Sequence, residues 1–242
     1  MNLQPLNQID VEKCVAAMPP ALVEQLKVFG SRASVAGGFI RAIVAGEKPS
    51  DIDVWVNDRE TCNLLSDALC ASSPTLLLPH ISKQSYTICL PGYPAVQIIY
   101  KWTFSTPEEA VDSFDFTIAK AGMWWNGGQF VSACSPIFYM DVLERRLTYC
   151  APMRPEAPAG SLFRVFKFYK RGYSISLESL AAVMARATHT ICGMIEDEAT
   201  KSILKTLQEA GRRIPVPHKP TEPITPDNIG FGDADSFGAS SD

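Results

Sequence analysis

Histidine is scarce: the 242-residue chain holds only His80, His189 and His218, none at a metal-ligand spacing, and we assign them no role from sequence. The seven cysteines, Cys14, Cys62, Cys70, Cys89, Cys134, Cys150 and Cys192, are odd in number and include no C-x-x-C pair. That pattern argues against a zinc site and suits a reduced compartment. No stretch approaches the roughly 20 apolar residues needed to span a bilayer. The opening MNLQPLNQIDVEKCV also lacks the basic flank and apolar core of a secretory signal. The sequence therefore predicts a cytoplasmic protein, neither secreted nor membrane-inserted. A strong positive field is missing as well. The net charge is −4, and residues 214–242, with Glu222, Asp227, Asp233, Asp235 and Asp242 against Lys219, account for all of it. The rest of the chain is electrically balanced, so no overall charge advertises nucleic acid. There is no internal repeat.

What is present is the composition of a folded soluble protein, 46% hydrophobic and 20% charged, long enough for one substantial core or a main domain with a small partner. Two short helices are expected at 10–18 and 20–29, with Asp10 as the first N-cap and Pro19-Pro20 between them. A short apolar strand follows at 33–36, then Gly37-Gly38 and a helix over 39–45 that stops at Gly46. Residues 51–56, DIDVWV, alternate in the manner of a strand, and 59–71 has helical spacing. Hairpins are expected around Pro-Gly-Tyr-Pro, joining 86–90 to 95–100, and around Asn126-Gly127-Gly128, joining 116–125 to 129–133. Residues 136–147 look helical, as do 161–171, 177–187 and about 197–211. The expected division is a domain over 1–150, a proline-rich linker over 151–160, a small helical region over 161–213 and a disordered acidic tail over 214–242.

The most informative stretch is VAGGFIRAIVAGEKPSDIDVWV, residues 35–56. Gly37 and Gly38 lack Cβ atoms, so a phosphate could approach the backbone closely beside the amides that open the next helix. Asp51 and Asp53, two apart on a strand, share a face and could hold magnesium or manganese. Each half also has a plain reading. Gly-Gly makes many ordinary turns, and Asp-x-Asp often marks a solvated strand end. The ordered combination of apolar strand, Gly-Gly, helix and apolar-flanked Asp-x-Asp is the more specific signal.

On these residues the sequence resembles the polymerase-beta-like nucleotidyltransferase superfamily, and within it the head domain of CCA-adding enzymes and bacterial poly(A) polymerases, over about residues 30–176. The resemblance implies an α+β fold, a mixed sheet with flanking helices. It puts Gly37, Gly38 and Arg41 at a nucleoside triphosphate and Asp51 and Asp53 at the metal ions. SFDFTIAKAG, from Ser113, is similar to the segment that ends the catalytic sheet and contacts the sugar. SLFRVFKFYKRGYSI, from Ser161, resembles the arginine-rich helix that follows. The sequence also departs from the pattern. The third carboxylate of the family falls at Gln97, which cannot take a proton. Ala42 replaces the acid after the arginine, Ser113 and Phe114 replace arginines, and Ala119 replaces an asparagine.

Other candidates have two readings each. Asp115 either completes the acidic set on the active-site side of the sheet or caps a strand end. Arg164, Lys167 and Arg171 lie on one helix face and either clamp phosphates or form a solvated basic face. Phe163, Phe166 and Tyr173 are expected to face the core, and Trp55, Trp102, Trp124 and Trp125 to pack rather than stack on bases. The expected activity is metal-dependent transfer of a nucleoside monophosphate to an acceptor hydroxyl on an RNA 3′ end, a protein or a small molecule, with release of pyrophosphate. The helical part after Pro158 is too short for the body and tail with which CCA-adding enzymes measure tRNA. Two alternatives stand: an inactive module that binds nucleotide, RNA or a protein partner, and an interaction protein whose acidic tail engages a basic partner.

Overall fold

The structure, a computed structural model, describes residues 2–72, 80–82, 84–151 and 160–192, with side chains as far as 188. The chain divides into two compact units, Met1–Ala157 and Pro158–Asp242. The expected helix over 197–211, the tail over 214–242 and most of the linker lie outside the described residues.

The first unit opens with α1 (Gln8–Ala17) and α2 (Pro20–Phe29), then β1 (Ala33–Ala36), α3 (Gly38–Val44), β2 (Asp51–Val56) and α4 (Arg59–Ala71). Next come β3 (His80–Ile81), β4 (Ser85–Ile88), β5 (Ala95–Ile99), α5 (Pro107–Asp112), β6 (Ala121–Asn126), β7 (Gln129–Cys134), α6 (Phe138–Leu143) and β8 (Arg146–Leu147). Seven strands make one sheet in the order β3-β4-β5-β2-β1-β6-β7. Only β2 and β5 run parallel; the other neighbours are antiparallel. Parallel neighbours need a long crossover, and the chain between β2 and β5 supplies one that includes α4 and the outer strands β3 and β4.

The two faces of the sheet differ. Val35, Ile52, Val54, Val96, Ile98 and Met123 alternate onto one face and are fully buried, with α2 and α4 packed against the strands. The other face carries Asp51, Asp53 and Trp55 on β2. At its Trp55 end α5 closes over it: Ala36, Trp55, Ala110, Val111 and Phe114 form a buried cluster with Ile99, Trp102 and Phe104. The Trp55 ring lies 5.4 Å from Phe114, 5.9 Å from Phe104 and 6.3 Å from Trp102. Gly122 of β6 makes the close approach of α5 possible, because a Cβ there would lie 2.4 Å from Val111 Cγ2 and 3.3 Å from the Ala36 Cβ.

Several expected boundaries move. Asp10 is not the N-cap of α1; Asn7 precedes the helix, and Asp10 is buried in the first turn, bound to Lys13 at 3.1 Å and the Tyr139 hydroxyl at 2.9 Å. The strand expected from Phe116 begins at Ala121, because Thr117–Ala119 forms a tight 3-10 turn. The helix expected to reach Leu147 ends at Leu143. Helix α5 was missed, although Thr106-Pro107-Glu108-Glu109 is a readable start. Proline stands at the first position, and the Thr106 hydroxyl accepts from the Glu109 N–H at 3.3 Å.

The second unit contains α7 (Gly160–Tyr169) and α8 (Leu177–Cys192), which pack together. Val165, Phe168, Tyr173 and Val183 are buried, as expected for Tyr173. Phe163 and Phe166 are not core-facing: they are 68% and 51% exposed, because the helical period turns Val165 and Phe168 inward instead. No helix among the described residues is long and apolar enough to cross a membrane.

Two outcomes follow. Gly122→Ala should lower stability by about 1–3 kcal/mol through overpacking, read from the midpoint of urea unfolding. Burial pushes the Cys14 thiol up to about 12 and those of Cys62 and Cys134 to about 11. At pH 8 these three stay protonated, so an alkylating reagent should label exposed Cys89 first and reach them only on unfolding, as peptide mapping would show.

Candidate active site

Asp51 and Asp53 open β2. Strand alternation puts them on one face, about 6.6 Å apart along the chain, while Ile52 and Val54 fill the core behind them. Both aspartates are half-buried, and Ser50 donates its hydroxyl to Asp51 Oδ1 at 2.8 Å.

Strand direction brings the glycine turn to this pair. Because β1 is antiparallel to β2, with Val35 opposite Val54, the end of β1 that runs into Gly37 lies beside the start of β2. Gly37 sits at φ +91°, and a Cβ there would meet the Phe114 ring at 3.0 Å, so both backbone and packing call for glycine. Its N–H is committed to the Ala121 carbonyl at 2.8 Å. Gly38, the first residue of α3, is different: a Cβ there would meet nothing within 4 Å.

Parallel pairing places the neighbour on the other side. Asp51 lies opposite Ala95 and Asp53 opposite Gln97, and Gln97 in turn lies opposite Thr87 of β4. Ladder partners share a face, so Gln97, half-buried, stands next to Asp53.

Arg41 lies on α3 with its side chain 4% exposed, its Nη1 donating to Glu47 Oε2 at 2.5 Å. The other oxygen of Glu47 lies 3.4 Å from Arg145 Nη2. Glu47 was not singled out from sequence; a lone acid in a polar loop gives no signal until the fold returns the loop to α3.

Asp115 lies on no strand. It is 1% exposed, in the turn between α5 and the 3-10 turn, with its carbonyl accepting from the Cys150 N–H at 2.7 Å. The surroundings are buried and charged. Lys120, 1% exposed, donates to the Asp112 carbonyl at 2.6 Å and to Asp112 Oδ1 at 2.9 Å. Asp141 accepts from the Thr117 hydroxyl and from Arg146 Nε at 2.8 Å. Burial pushes the Cys150 thiol up; Lys120 opposes this, while Asp141, Asp112 and Asp115 add to it. Arg164, half-buried, and Lys167, exposed, lie on α7 of the second unit.

Among the described residues no three His, Cys, Asp or Glu side chains gather into a group that could hold a metal ion. The Asp51–Asp53 pair fits a different arrangement, in which one or two carboxylates hold a hard cation and substrate phosphates and water complete its shell.

A mixed sheet with a Gly-Gly turn and an Asp-x-Asp strand at its centre defines a nucleotidyltransferase-like fold. Solved CCA-adding enzymes share it. The Thermotoga maritima enzyme complexed with tRNA is 16% identical at a TM-score of 0.53, over 86% of this chain and 55% of that one. A CCA-adding enzyme with CTP is 17% identical at 0.54, over 86% and 51%, and one with ATP is 16% identical at 0.53, over 86% and 54%. This chain thus spans about half the length of the solved chains it matches. It belongs to the Gad2 family, described as Gabija anti-defense 2 family protein, whose model matches residues 10–145, more than half of the sequence. No curated protein matches it.

Replacing the Glu47 carboxylate would take one charged partner from the buried Arg41. Glu47→Gln should cost on the order of 3 kcal/mol, measured by urea unfolding.

Proposed function

We propose that the protein is a metal-dependent nucleotidyltransferase that moves a nucleoside monophosphate from a nucleoside triphosphate to an acceptor and releases pyrophosphate. The observation that carries this reading is the antiparallel β1–β2 pairing, which sets the Gly37-Gly38 turn beside the half-exposed Asp51–Asp53 pair.

In this reading Asp51 and Asp53 hold magnesium or manganese, which when bound withdraws charge from the reacting phosphates and the leaving pyrophosphate. Gly38 lets a phosphate approach the backbone, and Gly37 supplies the turn that exposes it. Arg41 contributes fixed positive charge on α3, and Arg164 and Lys167 of α7 are cations suited to contacting phosphate. Asp115, deeply buried, positions the segment after α5. Nucleoside triphosphates and RNA are the first partners to test, since the solved relatives hold CTP, ATP and tRNA. A protein or small-molecule acceptor is tested alongside, as is binding of a basic partner by residues 214–242. The family description gives the setting, in which transfer serves to counter the Gabija defence.

A second reading, a module that binds nucleotide without turnover, is favoured by Gln97 beside Asp53. It predicts binding with no pyrophosphate released.

The test is transfer of label from each α-labelled nucleoside triphosphate, with magnesium or manganese, into RNA, protein and the purified protein itself. Asp51→Asn with Asp53→Asn should reduce transfer by about 10²–10³-fold or more without lowering the melting temperature. Equal transfer by the double variant overturns the assignment.

A further inference from the structure

The side chain next to Asp53 bears on the acceptor, given the transferase reading above. A hydroxyl nucleophile must lose its proton as it attacks, and the group that takes it must lie within hydrogen-bond reach. At the neighbouring ladder position stands Gln97, whose carboxamide donates and accepts hydrogen bonds but does not take up a proton. Several acids of the first unit are engaged with cations or hydroxyls of their own. Glu47 is bound to Arg41 and Arg145, Asp112 to Lys120, and Asp141 to Thr117 and Arg146. Asp115 is buried in its turn.

The row continues outward. Gln97 is opposite Thr87, and Thr87 is opposite His80 on the edge strand β3. Thr87 is half-buried and His80 exposed. His80 stands three strand spacings from Asp53, about 14 Å, too far to deprotonate a nucleophile held at the aspartates. What the row offers is a line of three side chains able to donate hydrogen bonds, a carboxamide, a hydroxyl and an imidazole, running from the aspartate pair to the sheet edge. A carboxylate at position 97 would repel an anion there, whereas a carboxamide can donate to it.

We propose that the acceptor is an oxygen already ionised at neutral pH, a phosphate or a carboxylate, held along Gln97, Thr87 and His80. The oxyanion forms the new bond to the α-phosphorus with its own lone pair. The bond from that phosphorus to the bridging oxygen breaks, and pyrophosphate leaves with the electron pair. No proton is transferred, so no base is required.

The experiment uses the full chain, α-labelled nucleoside triphosphate and magnesium with matched acceptors. One oligoribonucleotide ends in a 3′-phosphate or a 3′-hydroxyl, and one peptide carries aspartate or serine at the same position. Label should enter the phosphate or the aspartate arm at least tenfold faster than its hydroxyl counterpart, and the arm that is labelled distinguishes the two sources. Thr87→Val should raise KM for that acceptor several-fold with kcat unchanged. Gln97→Glu should reverse the preference, increasing transfer to the hydroxyl by about 10²-fold. Equal or faster labelling of the hydroxyl arms by the parent overturns the proposal. So does a parent that labels nothing while Gln97→Glu labels a hydroxyl, a result that leaves the transferase reading standing. Label in no arm with either protein, although calorimetry shows the triphosphate bound, overturns the transferase reading and this proposal together.

Discussion

The register of β2 between an antiparallel and a parallel neighbour governs the rest of the site. Antiparallel pairing with β1 returns the Gly37-Gly38 turn to the end of β2 where the aspartates are. Parallel pairing with β5 aligns Gln97 with Asp53 at that same end. A slip of one residue would turn Ile52 and Val54 out to the open face and drive both carboxylates into the core. Each fully buried aliphatic side chain contributes about 1.5–3 kcal/mol, and an unpaired buried carboxylate costs several more. The hydrophobic pattern behind the site therefore enforces its chemistry in front.

The aspartate face is divided by packing. At one end α5 and the rings of Trp55, Trp102, Phe104 and Phe114 exclude water, and the close approach of α5 to β1 and β6 depends on Gly122. At the other end the carboxylates remain half-exposed, able to meet a hydrated cation and a phosphate. Phe114 links the two ends, since its ring packs where Gly37 would otherwise bear a side chain. The buried charges nearby serve the scaffold. Lys120 binds the C-terminal end of α5 through Asp112, where a cation also complements the helix dipole. Arg41 and Glu47 join α3 to the loop that leads into β2.

Membership of the Gad2 family and likeness to CCA-adding enzymes meet in this fold, but a fold hosts many activities, and the site has to specify the reaction. Here a conventional-looking acidic pair adjoins a neutral carboxamide. In the reading proposed above, that difference of one charge would change which acceptors the site takes.

Periodicity alone was enough to find β2, α4 and the turns at Pro-Gly-Tyr-Pro and Asn-Gly-Gly, because alternation and turn residues are local properties of the chain. The Asp51–Asp53 pair was legible for the same reason: two residues apart on a strand always share a face. Other features depend on contacts between distant segments. Nothing local distinguishes Glu47 from other loop acids, or shows that Asp115 leaves the sheet for a buried turn instead of continuing a strand. The aromatic run around Phe116 reads as extended, yet tertiary hydrogen bonds, including Cys150 N–H to the Asp115 carbonyl, accompany a tight turn there. The sequence by itself determined the central strands, the glycine turn and the acidic pair, all set by short-range geometry. Only the tertiary structure decided that Gln97, Thr87 and His80 stand in one row beside Asp53, because strand order and register are fixed by burial across the whole sheet.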